Sequence, residues 1–178
     1  MNYSSIRYLD ISNGPGMGVS LFCSGCHFRC DGCHNSNIWD PNSGKHFSPE
    51  DIETILKLIE PKYIKHFSLL GGEPLEPQNL QILWLLLNQI HMKKPELQIW
   101  VYTGYTLEEL MKRVLDEQYL GYILELTDYL VDGRYEKDKR DITLAFRGSS
   151  NQKIWDIKKI KDVTSMFDNG EYESKNIK

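Results

Sequence analysis

The sequence predicts an α/β fold with a mostly parallel sheet. Three observations predict it. Short apolar runs of strand type alternate with helical stretches of about 10–15 residues, those stretches open on helix-start signals, and the glycine-rich segments fall directly after strands. At 178 residues the chain suits one domain and is shorter than the roughly 200 residues or more of an eight-unit βα barrel. It carries 40% apolar and 26% charged residues, enough for a packed core and unlike a disordered chain. A net charge of −4 excludes a generic polyanion binder, and no apolar run approaches the roughly 18 residues of a membrane span. Residues 1–10 lack the basic, apolar, small-residue order of a signal peptide, so a cytoplasmic protein with no nucleic-acid or membrane partner is expected.

Residues 6–11 alternate as a strand, and Asn13-Gly14-Pro15-Gly16 is a tight turn. Residues 18–23 form a second strand that runs straight into a cysteine-rich loop. Ser48 caps a helix with Pro49 at its first position and acids in its first turn, and Ile52, Ile55, Leu56 and Ile59 fall on one face. Residues 66–70 are a short apolar strand ending in Gly71-Gly72-Glu73-Pro74, and residues 79–92 follow as an apolar helix whose Leu and Trp stripe is core. Residues 97–102 are the next strand, ending at Thr103-Gly104-Tyr105. Thr106 caps the helix after it, with Glu109 completing a capping box. Residues 128–131 are a strand ending at Asp132-Gly133. In parallel α/β sheets the loops at the carboxyl ends of strands build the active site, and here the cysteine loop, GGEP, TGY and DG all follow strands.

All four cysteines fall within residues 23–33, as Cys23, Cys26, Cys30 and Cys33. A disulfide framework spreads its cysteines to tie distant loops together, whereas a metal site needs them close. Two subdivisions compete. C-x2-C-x3-C-x2-C describes four ligands around a tetrahedral zinc. C-x3-C-x2-C, from Cys26, Cys30 and Cys33, describes three thiolates holding three irons of a cubane cluster and leaving the fourth open to a substrate, with Cys23 on the preceding strand. His27 and His34 read as loop side chains rather than ligands.

The three-cysteine motif with Gly71-Gly72-Glu73-Pro74 after the next strand resembles the radical S-adenosylmethionine (SAM) superfamily. Within it, the chain resembles the activases of anaerobic ribonucleoside-triphosphate reductase over roughly residues 2–155. The resemblance is carried by Asn13-Gly-Pro-Gly16, Leu21-Phe-Cys-Ser-Gly-Cys26, Gly32-Cys-His-Asn35, Trp39, Asn42-Ser-Gly44, Leu70-Gly-Gly-Glu-Pro-Leu75 with Pro77-Gln-Asn79, Ile99-Trp-Val-Tyr-Thr-Gly-Tyr105, Leu130-Val-Asp-Gly133 and Phe146-Arg-Gly-Ser-Ser-Asn-Gln152. It implies a partial, open βα barrel of about five or six units. It also implies Cys26, Cys30 and Cys33 as the ligands of a 4Fe–4S cluster whose open iron is chelated by SAM. Gly71, Gly72, Glu73 and Pro74 would receive the methionine amino group, through the Glu73 carboxylate or a backbone carbonyl. Gly32, Cys33 and His34 would line the adenine side, and Thr103 the ribose or carboxylate. The activity implied is reductive cleavage of SAM to a 5′-deoxyadenosyl radical that makes the glycyl radical of the large reductase subunit. A flavodoxin- or ferredoxin-type protein would donate the electron.

The chain departs from that family's pattern at four places: His34 where Tyr is commoner, Glu73 where Asp is common, Gly18 where an Arg often follows the turn, and the additional Cys23, read as a buried strand thiol. Two other readings stand beside the activase. A formate-lyase-type radical SAM activase fits the cysteines and GGEP but not the short length or the 146–152 string. A structural four-cysteine zinc module leaves GGEP without a role. Lys137-Asp-Lys-Arg140 reads as a solvated loop, residues 1–167 as a single domain, and 168–178 as a disordered tail that Trp155 and Phe167 could anchor.

Overall fold

The structure is a computed structural model that describes residues 1–160. The expected tail at 168–178, with Phe167, lies outside the described residues. Among the described residues, seven strands form one sheet: β1 (Asn2–Asp10), β2 (Met17–Cys23), β3 (Lys45–His46), β4 (Ile64–Gly71), β5 (Gln98–Tyr102), β6 (Tyr129–Asp132) and β7 (Lys153–Asp156). Their spatial order is β3-β1-β2-β4-β5-β6-β7. The central strands β2, β4, β5 and β6 are parallel, whereas β1 and β3 on one flank and β7 on the other add antiparallel pairings. The sheet is therefore mixed with a parallel centre, and it is not closed.

Four helices, α1 (Pro49–Leu58), α2 (Leu80–Lys93), α3 (Leu107–Val114) and α4 (Gln118–Leu126), occupy the crossovers β2–β4, β4–β5 and β5–β6. Three crossovers stand where five or six βα units were expected, because the outer strands join by antiparallel pairing that needs no helix. Both caps form as read, Thr106 and Glu109 closing the expected box at α3, and at α1 the structure adds a box between Ser48 and Asp51 that was not expected. Helix α4 escaped the sequence reading because Glu117, at its N-cap, makes no capping bond. Strand β7 is four residues long and carries Trp155, which is buried.

Side chains of the parallel strands alternate, and the two faces of the sheet differ. Val19, Leu21, Phe67, Leu69, Ile99, Val101 and Leu130 share one core cluster with apolar residues of all four helices. On the other face, Trp100 and Val131 cluster with Ile154. There Trp100 stacks on Tyr129 at 4.5 Å and meets the Phe146 ring at 5.2 Å, and the Ser68 hydroxyl donates to the Asn13 carbonyl at 2.6 Å. Among the described residues, no helix is long and apolar enough to cross a membrane.

Candidate functional site

Because β2, β4, β5 and β6 run parallel, their carboxyl ends share one edge, and the four loops leaving that edge are bonded to one another. The cysteine loop closes on itself first: the Gly25 amide donates to Ile38 O (2.8 Å) and the Cys26 amide to Trp39 O (3.1 Å). The GGEP loop then grips its base, with the Gly72 amide donating to Cys23 O (2.8 Å) and the Glu73 amide to Gly25 O (2.7 Å). Only glycine serves at position 72, since a Cβ there would stand 2.2 Å from the Gly25 carbonyl oxygen. Asn35 Nδ2 donates to Gly71 O (2.9 Å), and His27 Nδ1 lies 2.6 Å from Glu76 Oε1.

The four thiols divide three and one. Cys26, Cys30 and Cys33 are partly exposed on the loop, whereas Cys23 is fully buried on β2 with its thiol donating to Met1 Sδ. Burial pushes the Cys23 thiol up to about 12, with the Glu73 charge acting in the same direction. That separation is not the arrangement a four-thiolate zinc site requires. Burial also raises Cys26 to about 11, against the pull of the Arg29 and Phe28 amides, and raises Cys30. A metal must displace a proton from each of these thiols. Among the described residues, no three Cys, His, Asp or Glu side chains converge on a common point. The donor chemistry nonetheless suits an iron–sulfur cluster: soft sulfurs on one short loop, partly exposed, beside a cavity. That cavity, of about 660 Å³, is lined by Gly32, Cys33, His34, Asn35, Tyr135 and Lys137 among others. A second, of about 610 Å³, lies over Gly104, Thr106, Asp132, Gly133, Arg134 and Asn151.

The expected site residues are thus brought to one edge, but they do not all face outward. Gly32, Cys33 and His34 line the first cavity. Glu73 points inward. It is 1% exposed, its Oε1 accepts from the Leu75 amide (2.9 Å) and the Thr103 hydroxyl (2.8 Å), and its Oε2 accepts from the Gly104 amide (2.7 Å). Burial pushes its carboxyl up to about 7 although all three donors favour the charged form. Of the two acceptors expected in this loop for an amino group, the carboxylate is therefore engaged inside the protein. The Thr103 hydroxyl is engaged with it.

Several residues of the edge were given no individual role in the sequence reading, although Asp132 and Gln152 fall within motifs it quoted. Phe28 lies with its ring 4.8 Å from that of Tyr105 and beneath the Arg134 guanidinium at 4.5 Å. Gln152 folds the 133–152 segment back, its Oε1 accepting from the Gly148 and Ser149 amides and its Nε2 donating to Gly133 O. Asp132, whose carboxyl burial raises, accepts from the Leu107 amide at 2.7 Å. Its place at a strand end was a usable signal. Lys137 is exposed as read, but on a 3-10 turn, Lys137–Lys139, rather than a plain loop, and it contacts Asp31 at 3.4 Å.

The 4Fe-4S single cluster domain family matches residues 12–155. The anaerobic ribonucleoside-triphosphate reductase-activating protein of Pasteurella multocida is 40% identical over 157 residues, which cover 87% of this chain and 97% of that protein. The Escherichia coli K12 protein of the same name is 39% identical, covering 86% of this chain and 97% of its own length, and that of enterobacteria phage T4 is 35% identical, covering 87% and 94%. A thiol loop on the carboxyl edge of a parallel sheet and relatedness over nearly the whole of those proteins lead to one assignment: the chain belongs to the family of anaerobic ribonucleoside-triphosphate reductase-activating proteins.

Proposed function

We propose that this chain is the activase of an anaerobic ribonucleoside-triphosphate reductase and works as a radical SAM enzyme. The observation that carries the reading is the set of three partly exposed thiols, Cys26, Cys30 and Cys33, gripped at the base of their loop by the GGEP segment. These three would hold a 4Fe–4S cluster. A cluster held there would supply the electron for reductive cleavage of SAM, and with it the 5′-deoxyadenosyl radical that would take a Cα hydrogen from a reductase glycine. The chain's own residues bind, orient and exclude water. Backbone carbonyls of the Gly71–Pro74 loop would accept the methionine ammonium, and glycines let that backbone approach closely. Gly32, Cys33 and His34 would flank the adenine. Glu73 and Thr103 enter through each other rather than through the ligand.

A partial barrel of the radical SAM type suits this work. The helices cover one face of an open sheet, which leaves an edge that a large protein substrate can cover. The target would be the large reductase subunit, the electron donor a flavodoxin or ferredoxin, and the compartment the cytoplasm. The test is anaerobic reconstitution with iron and sulfide, reduction with dithionite, and assay of 5′-deoxyadenosine formed from SAM, with Cys30→Ala as control. The reading expects nucleoside that vanishes in the variant, then a glycyl-radical EPR doublet on added reductase. A colourless protein that binds zinc and makes no 5′-deoxyadenosine would overturn it.

A further inference from the structure

The geometry points to Glu73 as a positioning residue that sets the placement of the Cys26–Cys30 segment through Gly104 and Phe28. Glu73 is bonded to two loops at once. Its backbone amide holds Gly25 O at the root of the cysteine loop. Its carboxylate reaches the other way and gathers the turn after β5, taking the Thr103 hydroxyl and the Gly104 amide, while Thr103 Oγ1 accepts from the Tyr105 amide at 3.1 Å. That turn is the floor on which the middle of the cysteine loop rests. A Cβ at Gly104 would lie 2.4 Å from Phe28 Cδ2, so the ring sits directly against the glycine backbone. Phe28 stands between Cys26 and Cys30, and His27 (4.0 Å), Tyr105 (4.8 Å) and Arg134 (4.5 Å) surround its ring. The connection therefore runs from carboxylate to amide to glycine to aromatic ring to thiols.

Two features separate this role from direct contact with a ligand. The carboxylate is buried, and each of its oxygens already accepts a short hydrogen bond. The donors are of the type a carboxylate satisfies and an amide does not. A Gln at 73 would turn an N–H group toward the amide of Gly104 or toward the Leu75–Thr103 pair, setting donor against donor. The inference rests on the proposed function only in treating Cys26 and Cys30 as cluster ligands; the connection between Glu73 and those thiols does not need it.

The experiment begins with the apo-protein, where cluster chemistry plays no part. Alkylation rates of Cys26, Cys30 and Cys33 are measured by mass spectrometry in wild type, Glu73→Gln and Gly104→Ala, with circular dichroism to confirm that each folds. Both variants are expected to speed alkylation at Cys26 and Cys30 by about fivefold, the factor one lost hydrogen bond is worth, with Cys33 unchanged. The double variant should do no more than the stronger single one, because both changes act on one connection. Should Glu73→Gln not fold, Thr103→Val, which removes one donor, and Gly104→Ala carry the test. Reconstituted protein supplies the second readout: Glu73→Gln should alter the EPR spectrum of the reduced cluster already in the absence of SAM. Unchanged alkylation rates, or an EPR change seen only once SAM is added, would overturn the positioning role. The expected alkylation difference between variants and wild type, found together with a wild-type protein that folds but assembles no cluster, would leave it standing and overturn the proposed function instead.

Discussion

The two ends of the β2–β4 pair use glycine against the same kind of crowding with different obstacles. At the amino end, Gly18 pairs with His66, and a Cβ at Gly18 would lie 2.2 Å from His66 Nε2. At the carboxyl end, a Cβ at Gly72 would lie 2.2 Å from the carbonyl oxygen of Gly25. The distances match, but one neighbour is a side chain and the other is backbone held in the cysteine loop. A side chain can be replaced by a smaller one, whereas a carbonyl cannot. The amino end is thus a packing choice with a possible second solution, and the carboxyl end is a fixed approach of two main chains. The Arg expected from the family pattern at position 18 has no room here for the same reason: the buried His66 ring fills the space.

The sharpest way to break this comparison is Gly72→Ala. It should cost about 4 kcal/mol or prevent folding, since relief requires moving the root of the cysteine loop, and no second substitution should restore it. Denaturant unfolding of the apo-protein measures this. Gly18→Ala is expected to cost about 1–3 kcal/mol, the range for overpacking a core. Here His66→Ala in the same chain should recover most of the loss, and a double-mutant cycle showing simple additivity would contradict the distinction.

The two ends should also respond to pH with opposite sign. Burial lowers the pKa of His66, so below its ordinary value of 6.5 the unfolded chain binds more protons than the folded one and stability falls as pH drops. Glu73 is raised from 4.5 to about 7, so between those values the folded chain binds more protons and stability falls as pH rises. Thermal unfolding from pH 5 to 8 should therefore show a steeper loss toward acid in Glu73→Gln, and a steeper loss toward neutral pH in His66→Gln. Smaller effects lie outside the pair or within its strand. Thr106→Ala, which removes a formed N-cap, should cost about 1 kcal/mol in the same unfolding assay. Cys23→Ala should cost about 1 kcal/mol while leaving iron incorporation intact, in contrast to Cys30→Ala.

What was legible in the sequence follows from how local each signal is. Ser48 and Thr106 announced their helices because a cap is satisfied within four residues. The four loops of the carboxyl edge were legible because glycine clusters follow apolar strands. The direction in which Glu73 points was not, since its carboxylate is held by Thr103 and Gly104, residues adjacent to it only once β4 and β5 have paired. The His66 ring beside Gly18 was hidden likewise by pairing across a crossover. Helix α4 lacked a capping signal, and β7 is made a strand only by its partner β6.

The thiol loop borrows its shape. Its anchors, Gly72 and Glu73, then Gly104 under Phe28, then Lys137 against Asp31, are all synthesised after it. During translation the cysteines therefore emerge well before the framework that will hold them, a sheet with an apolar core. A cluster held by these thiols, as proposed, would find its loop fully anchored only after the later strands have joined the sheet. Between emergence and loading, the thiols pass through an interval in which an oxidant can capture them. The thiols would therefore be most open to oxidants before their anchors close, during maturation rather than after it.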